Sequence, residues 1–110
     1  MKIQVVGKLN GLGLSHDVDV LRMALEPKHA VDFTDWKSPR RNPRHTYDAN
    51  IFTELINPTF FGQARKNYGL LNPEWTVPQF VPHLKRLDAI LCKTRDAESI
   101  FGKYGHTEFI

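Results

Sequence analysis

The 110-residue sequence predicts one α/β domain, residues 1–110, in which helices cover both faces of a mostly parallel β-sheet. Short runs of β-branched and other apolar residues recur along the chain, and segments with helical spacing separate several of them. Strands that alternate with helices form parallel sheets, because each crossover returns the chain to the same end of the sheet. A hydrophobic fraction of 41% and a charged fraction of 25% fit such a domain.

The first half of the chain predicts three strands and one helix. Residues 2–7, KIQVVG, are an apolar, β-branched run that a glycine ends. After a glycine-containing turn, apolar residues at near-helical spacing predict a helix that Pro27 stops. Residues 29–36, HAVDFTDW, alternate apolar and polar side chains, and residues 47–56, YDANIFTELI, form a compact apolar run. Each of these two segments predicts a further strand.

The second half of the chain predicts shorter elements. In order they are a helical turn at 61–64, a strand at 66–71, a short helix at 83–87, a strand at 88–94, a helix at 95–105 and a final strand at 106–110. Pro82 fits the first turn of the short helix. Thr94 can cap the following helix, which Gly102 or Gly105 then ends. The predicted apolar face of that helix consists of Ala97, Ile100, Phe101 and Tyr104.

The composition argues against a membrane protein, a secreted protein and a metalloprotein. No apolar run approaches the roughly 20 residues that span a bilayer, and IQVVG is too short for a signal-peptide core, so a cytoplasmic location is expected. Cys92 is the single cysteine, which excludes an internal disulfide, and its place in the run AILC predicts a small core residue rather than a nucleophile. The five histidines are scattered, so no metal site is predicted.

The basic residues are concentrated in one segment. Fifteen Lys and Arg against twelve Asp and Glu give a net charge of +3, and residues 37–45, KSPRRNPRH, carry most of the local excess. This segment has two prolines and no apolar residue, which predicts an exposed loop. The loop is either a solvated connector or a contact for an anionic phosphate, a lipid surface or nucleic acid. Sequence-specific nucleic-acid recognition is not expected, because the chain has no zinc-finger spacing and no ribonucleoprotein motif.

Polar side chains follow four of the predicted strands. Parallel α/β sheets bind ligands beyond the carboxyl ends of their strands. The polar residues at these ends are Asn10 to Ser15 after the first strand, Glu54 and Asn57 after the third, Asn72, Glu74 and Trp75 after the fourth, and Lys93 to Arg95 after the fifth. We therefore expect carboxylates, amides, a cation and an indole to converge on one edge of the sheet.

Two glycines, Gly11 and Gly13, lie where the first strand gives way to the first helix. A dinucleotide-binding fingerprint needs a third glycine, and His16 occupies that position, so the segment is a weak match to a dinucleotide site. Two interpretations stay open. The segment is a plain connecting turn, or it is a turn whose backbone N–H groups and helix dipole face an anion.

Three segments of the chain resemble a known family. They are YDANIFTELINPTFFGQARKNYGLLNPEW at 47–75, LKRLDAILCKTRDAESIF at 84–101 and GHTEFI at 105–110. Together they resemble the amino-terminal, acceptor-side Rossmann-like lobe of GT-B glycosyltransferases, in the broad group that includes families 1 and 4. Asp48 and Asp88 precede apolar strands in a similar way. The resemblance extends more loosely to NGLGLSHD near the start of the chain.

The resemblance implies an enzyme that transfers a sugar from a nucleotide-sugar donor to an acceptor, with no other cofactor. Backbone N–H groups of the donor-phosphate loop would stabilise the charge of the departing diphosphate, and that loop comprises Gly11, Leu12, Gly13, Leu14 and Ser15. The candidates for a general base are Glu54, Glu74 and His16. The candidates for substrate binding are Asn72, Trp75, Lys93 and Thr94.

A GT-B enzyme needs a second lobe that holds most donor contacts, and the sequence ends at Ile110 without one. The chain is therefore expected to be a piece of a longer protein or a natural single-lobe relative, and to be inactive alone. The alternative is a non-enzymatic single-lobe module that binds a nucleotide, an anion or a protein partner, with a homodimer covering the missing interface. A third option is nucleic-acid binding through residues 37–45.

Overall fold

The structure is a computed structural model that describes residues 1–7, 22–37, 43–53, 56–71, 81–92 and 94–109. Within these ranges, one parallel sheet of six strands forms the centre of the molecule. The strands are β1 (Lys2–Gly7), β2 (Ala30–Asp35), β3 (Tyr47–Thr53), β4 (Ala64–Leu70), β5 (Ala89–Cys92) and β6 (Thr107–Phe109). They lie in the order β2-β1-β3-β4-β5-β6, which confirms the predicted α/β class.

Helical segments flank the sheet. They are α1 (residues 22–25), a 3-10 helix (Pro58–Gln63), α2 (Val81–Leu84) and α3 (Arg95–Phe101). Asn57 begins the 3-10 helix, because its Oδ1 accepts a hydrogen bond from the Thr59 backbone N–H at 3.1 Å. No helix in the described ranges has the length and apolarity that crossing a membrane requires.

The predicted elements differ from the observed ones at their ends. β3 ends at Thr53 rather than at residue 56, and Ile56 packs in the core beyond the strand. The helical turn predicted at 61–64 begins earlier, at Pro58, because Asn57 caps it and proline suits a first turn. β4 consequently begins at Ala64, two residues before its predicted start.

The later elements are shorter than predicted. α2 comprises Val81–Leu84, with Pro82 in its first turn as predicted, and it does not extend to Leu87. β5 ends at Cys92 rather than at residue 94. α3 ends at Phe101, with Gly102 as its C-cap. Its predicted apolar face is wrong at Ile100, which is 46% exposed. This two-turn helix contacts the sheet through a narrow stripe, so a residue beside that stripe faces solvent.

The two faces of the sheet bury separate hydrophobic cores. The larger core contains residues of the strands, the 3-10 helix, α2 and α3, and its buried members are Val6, Phe52, Ile56, Phe60, Phe61, Leu71, Leu84, Leu87, Ile90, Cys92, Ala97 and Phe101. On the opposite face, Ile3, Val5, Ile51 and Leu70 form a second core, against which Leu25 of α1 packs. Successive strand residues point to opposite faces, so a single strand can contribute to both layers.

A row of buried polar side chains crosses the sheet on the face of the larger core. Gln4, Asn50 and Asn67 occupy facing register positions on β1, β3 and β4. Gln4 Nε2 donates to Asn50 Oδ1 at 2.9 Å, and Asn50 Nδ2 donates to Asn67 Oδ1 at 3.0 Å. On the β2 side, the Thr34 hydroxyl donates to Gln4 Oε1 at 2.9 Å. We call Gln4, Thr34, Asn50 and Asn67 the polar row.

The polar row also holds the 3-10 helix against the sheet. Asn50 Nδ2 donates to the Phe60 carbonyl oxygen at 2.8 Å, and Asn67 Nδ2 donates to the Phe61 carbonyl oxygen at 3.2 Å. A short 3-10 helix has few N–H groups that can donate to its own carbonyl oxygens. Side chains of the sheet therefore donate to these carbonyl groups. Burial of the row is tolerated because its amide groups are hydrogen-bonded to one another and to the backbone.

Two aspartates bind backbone N–H groups toward the amino ends of the strands. Asp48 Oδ2 accepts a hydrogen bond from the Lys2 N–H at 2.8 Å, and Asp88 Oδ2 accepts one from the Asn67 N–H at 2.7 Å. Asp48 thereby joins β3 to β1, and Asp88 joins the start of β5 to β4. The two acidic residues that stand out in the sequence before apolar runs therefore have a structural role.

Replacing Asn50 tests the polar row. Asn50→Ala leaves a Gln4 donor and the Phe60 and Asn67 acceptors without their partner, so we expect the free energy of unfolding to fall by about 2–4 kcal/mol. Urea denaturation followed by circular dichroism measures the change. Ser99→Ala on the exposed side of α3 is the control, and we expect a change below about 0.5 kcal/mol. Equal effects of the two substitutions would show that the row does not stabilise the fold.

Candidate functional site

The strand order reverses direction beside β1. This strand lies between β2 and β3, so the chain proceeds to one side of β1 first and to the other side afterwards. Connections that leave neighbouring parallel strands in opposite directions open a crevice at the carboxyl ends of those strands. We call the strand-end residues at this position, Gly7, Asp35 and Thr53, the switch-point edge.

Most of the predicted site residues lie outside the described ranges. They are Gly11, Leu12, Gly13, Leu14, Ser15, His16, Glu54, Asn72, Glu74, Trp75 and Lys93. The strands that precede them are described, and β1, β3, β4 and β5 are consecutive neighbours with their carboxyl ends on one edge. The predicted common edge is therefore confirmed for the strands. For the side chains themselves, convergence stays a prediction.

Of the residues predicted for catalysis, phosphate binding and substrate binding, Thr94 lies within the described ranges. Its Oγ1 accepts a hydrogen bond from the Ala97 N–H at 3.0 Å, which confirms the predicted cap of α3. The side chain is exposed. Because capping uses only an acceptor position of the hydroxyl group, its O–H remains available to donate to a ligand at the carboxyl edge.

Gly7 lies directly against Thr53. A Cβ atom on Gly7 would collide with the Thr53 hydroxyl oxygen. Thr53 is 1% exposed, and its hydroxyl donates to the Val6 carbonyl oxygen at 3.3 Å. Glycine at this position therefore permits a close approach that any larger residue would prevent. The ends of β1 and β3 reach the switch-point edge side by side.

Trp36 connects the end of β2 to the end of β1 and to the start of the 3-10 helix. Its backbone N–H donates to the Gly7 carbonyl oxygen at 3.0 Å, and its own carbonyl oxygen accepts from Asn57 Nδ2 at 2.7 Å. The indole ring packs against the larger core. Asn57, which the sequence singles out as a polar strand-end residue, therefore positions the backbone of the crevice and caps the 3-10 helix.

Asp35 is a candidate ligand-binding residue that the sequence patterns did not identify. It ends β2 beside Gly7 in the strand register and is half-buried. Its carboxylate forms no hydrogen bond or ion pair with another described residue. An acidic residue at the end of a predicted strand, 29–36, was the signal that could have identified it. A carboxylate at this edge can accept hydrogen bonds from ligand hydroxyl groups.

Cys92 ends β5 at the same edge but is closed to solvent. It is fully buried, and its Sγ lies 3.6 Å from the Ile90 carbonyl oxygen. Burial raises the pKa of the thiol, and the negative charge of Glu98 raises it further. A protonated, buried thiol is a poor nucleophile, which agrees with the predicted core role. Across the described ranges, no group of three or more His, Cys, Asp or Glu residues could hold a metal ion.

Substitution of Gly7 tests the contact between β1 and β3. We expect Gly7→Ala to lower the free energy of unfolding by about 1–3 kcal/mol, because the new methyl group overlaps the Thr53 hydroxyl. Combining it with Thr53→Ala removes that oxygen, so the double variant should lose less than the sum of the two single losses. Gly62→Ala is the matched control, because nothing lies within 4 Å of a Cβ there. Strict additivity, measured by urea denaturation, would contradict the contact.

The raised pKa of the Cys92 thiol predicts how the free energy of unfolding changes at alkaline pH. Unfolding exposes the thiol, which then ionises near its ordinary value, while the folded protein keeps the proton to higher pH. This contribution to stability is complete below the ordinary thiol pKa and is lost as the pH rises toward the folded value. Urea denaturation at several alkaline pH values should therefore show a steeper decline for the unchanged protein than for Cys92→Ala. Equal declines in the free energy of unfolding for the two proteins would contradict the raised pKa of Cys92.

Comparisons with known proteins assign no family to this chain. A scan against protein-family models and searches of the curated proteins and of the solved structures each found no match. The resemblance to GT-B glycosyltransferases therefore depends on the three sequence segments at 47–75, 84–101 and 105–110. The fold and the switch-point edge depend on the geometry of the sheet.

Proposed function

We propose that this chain is the acceptor-side lobe of a cytoplasmic glycosyltransferase of the GT-B type. The observation that supports the proposal is the parallel sheet with its reversal beside β1, where Gly7 and Thr53 are in direct contact. A sheet of this kind offers a ligand crevice at the carboxyl ends of the reversing strands. The sequence segments that resemble the glycosyltransferase lobe are consistent with such a sheet.

The connectivity of the chain supports a shared site. The glycine-containing segment follows β1 directly, and Glu54 follows Thr53 directly. Since Gly7 contacts Thr53, these two segments leave the sheet from adjacent points. In the proposed reaction, backbone N–H groups of residues 11–14 stabilise the negative charge that develops on the departing diphosphate. No metal ion is required for this role.

The remaining steps need a base and groups that orient the acceptor. If the transfer inverts the anomeric carbon, Glu54, Glu74 or His16 removes the proton of the acceptor hydroxyl group as it attacks the sugar. Asn72, Trp75, Lys93 and Thr94 contact the substrates in this proposal. Asp35 adds a carboxylate that can orient sugar or ribose hydroxyl groups. A second lobe joined to this one supplies most donor contacts in this proposal.

The test begins with the native gene. The proposal predicts that the reading frame continues past Ile110 into a second Rossmann-like lobe, and that the longer protein transfers sugar from a nucleotide-sugar donor. Release of nucleoside diphosphate measures turnover. Among Glu54→Gln, Glu74→Gln and His16→Gln, the variant that lacks the base should lose roughly 10²- to 10⁴-fold in kcat. Glu26→Gln, at an exposed turn after α1, is the control and should retain full activity.

Two results would overturn the proposal. One is a longer protein that turns over no member of a panel of nucleotide sugars. The other is a reading frame that stops after Ile110 in a chain that binds ligands without chemistry, which would favour the single-lobe binding module. Amide NMR shifts on titration with a nucleoside diphosphate distinguish that module from a chain with no nucleotide site, because only the module shows saturable shifts at Gly7, Thr53 and Thr94.

A further inference from the structure

The amino-terminal side of the sheet carries an open groove of about 670 Å³ beside the starts of β3 and β4. Arg44, His45, Arg65 and Arg86 line it, with Phe61 and Gly62 between them. We call this set the basic groove. It lies at the opposite end of the strands from the switch-point edge, so it is independent of the proposed sugar-transfer site.

Among the described residues, no carboxylate that lines the basic groove offsets its positive charge. Three guanidinium groups line it, and no aspartate or glutamate in the described ranges does. Arg44 and Arg65 form no ion pair or hydrogen bond with another described residue, and both are exposed. Arginines without carboxylate partners around one groove produce a positive potential that attracts anions. One guanidinium group can donate two hydrogen bonds to two oxygens of a phosphate, which favours phosphate over monatomic anions.

One of the cations is held in place by a rigid floor. The Arg86 guanidinium carbon lies 4.5 Å from the centroid of the Phe61 ring. Phe61 is buried, its ring packs edge-on against Phe52 at 5.4 Å, and its carbonyl oxygen accepts the hydrogen bond from Asn67 of the polar row. The groove floor is therefore fixed before any ligand arrives, which lowers the entropic cost of binding.

The rim of the basic groove is fixed as well. His45 has a φ of 57°, in the left-handed region that few non-glycine residues adopt, and its N–H donates to the Gly62 carbonyl oxygen at 3.0 Å. Strained backbone of this kind persists where the surrounding structure imposes it, and it is concentrated at functional sites. At Gly62 nothing lies within 4 Å of the position that a Cβ atom would occupy, so the space above it is open to a ligand.

We propose that the basic groove binds the phosphate groups of a phosphorylated ligand. Its volume falls in the range of small-molecule sites, about 300–1,000 Å³, and exceeds what a single phosphate ion fills. A diphosphate, or a phosphate carried on an organic group, matches both the volume and the number of guanidinium groups. The phosphate belongs either to a soluble ligand or to a lipid headgroup, and the experiment separates these sources.

Isothermal titration calorimetry with inorganic pyrophosphate, at fixed ionic strength, tests the groove. We expect Arg65→Gln and Arg86→Gln each to weaken binding by about tenfold or more, because each removes charge-assisted hydrogen bonds. Lys103→Gln removes one positive charge from an exposed turn after α3, outside the groove lining, and should leave the affinity unchanged. Arg65 is exposed and forms no hydrogen bond or ion pair with a described residue, so its variant decides the outcome even where Arg86→Gln destabilises the protein.

Gly62 provides a second, independent variant. Gly62→Glu introduces a carboxylate at the open position in the groove, whereas Gly62→Gln introduces a neutral group of the same size. We expect the glutamate variant to bind pyrophosphate at least tenfold more weakly than the glutamine variant, because repulsion acts only in the former. Equal affinities for the two variants would contradict an electrostatic site at this position.

Vesicle sedimentation distinguishes the source of the phosphate. Saturable pyrophosphate binding that Arg65→Gln weakens supports a soluble ligand. Co-sedimentation with phosphatidic acid vesicles but not with phosphatidylcholine vesicles, lost in Arg65→Gln, supports a lipid headgroup. Absence of both, or equal loss in Arg65→Gln and Lys103→Gln, overturns the proposal. Binding to duplex DNA that pyrophosphate does not compete away also overturns it, since the groove would then recognise a nucleic acid.

Discussion

The hydrogen-bonded polar row is the constraint on which the rest of this structure depends. Gln4, Asn50 and Asn67 can satisfy one another only when β1, β3 and β4 adopt one register, because a shift by one residue would turn each amide to the opposite face. The same row binds the carbonyl groups of the 3-10 helix. One network therefore sets the strand alignment and the position of the crossover between β3 and β4. A wrong register would leave buried polar groups unpaired.

The two ends of the sheet carry different chemical groups. At the carboxyl end, β1, β2 and β3 approach closely through Gly7, Thr53 and Trp36, and backbone atoms define the edge. At the amino-terminal end, Asp48 and Asp88 accept hydrogen bonds from strand N–H groups. The arginines that line the basic groove have no carboxylate partner among the described residues. The polar row lies between the two ends of the sheet. It fixes the register of the strands, and it also fixes the floor of the basic groove.

Local patterns predicted the elements whose signals are complete within a few residues. β1 is a continuous β-branched run, and α3 has its cap at Thr94, so both were identified from sequence. The end of β3 and the start of the 3-10 helix were harder to predict from the sequence, because Asn57 hydrogen-bonds to the distant Trp36 carbonyl oxygen as well as to its neighbours. The basic groove was missed for a related reason. Arg44 and His45 belong to the basic segment 37–45, but Arg65 and Arg86 come from other parts of the chain, and no local pattern relates them to that segment.

The sequence by itself determined the class of the fold, the alternation of its layers and the common edge of the parallel strands, because hydrophobic periodicity and turn residues act locally. Tertiary structure decided the strand order, the contact of Gly7 with Thr53 and the assembly of the basic groove. These features arise from pairs of residues that are remote in the chain. Their energies depend on distance and burial in the folded protein, which composition and spacing do not encode.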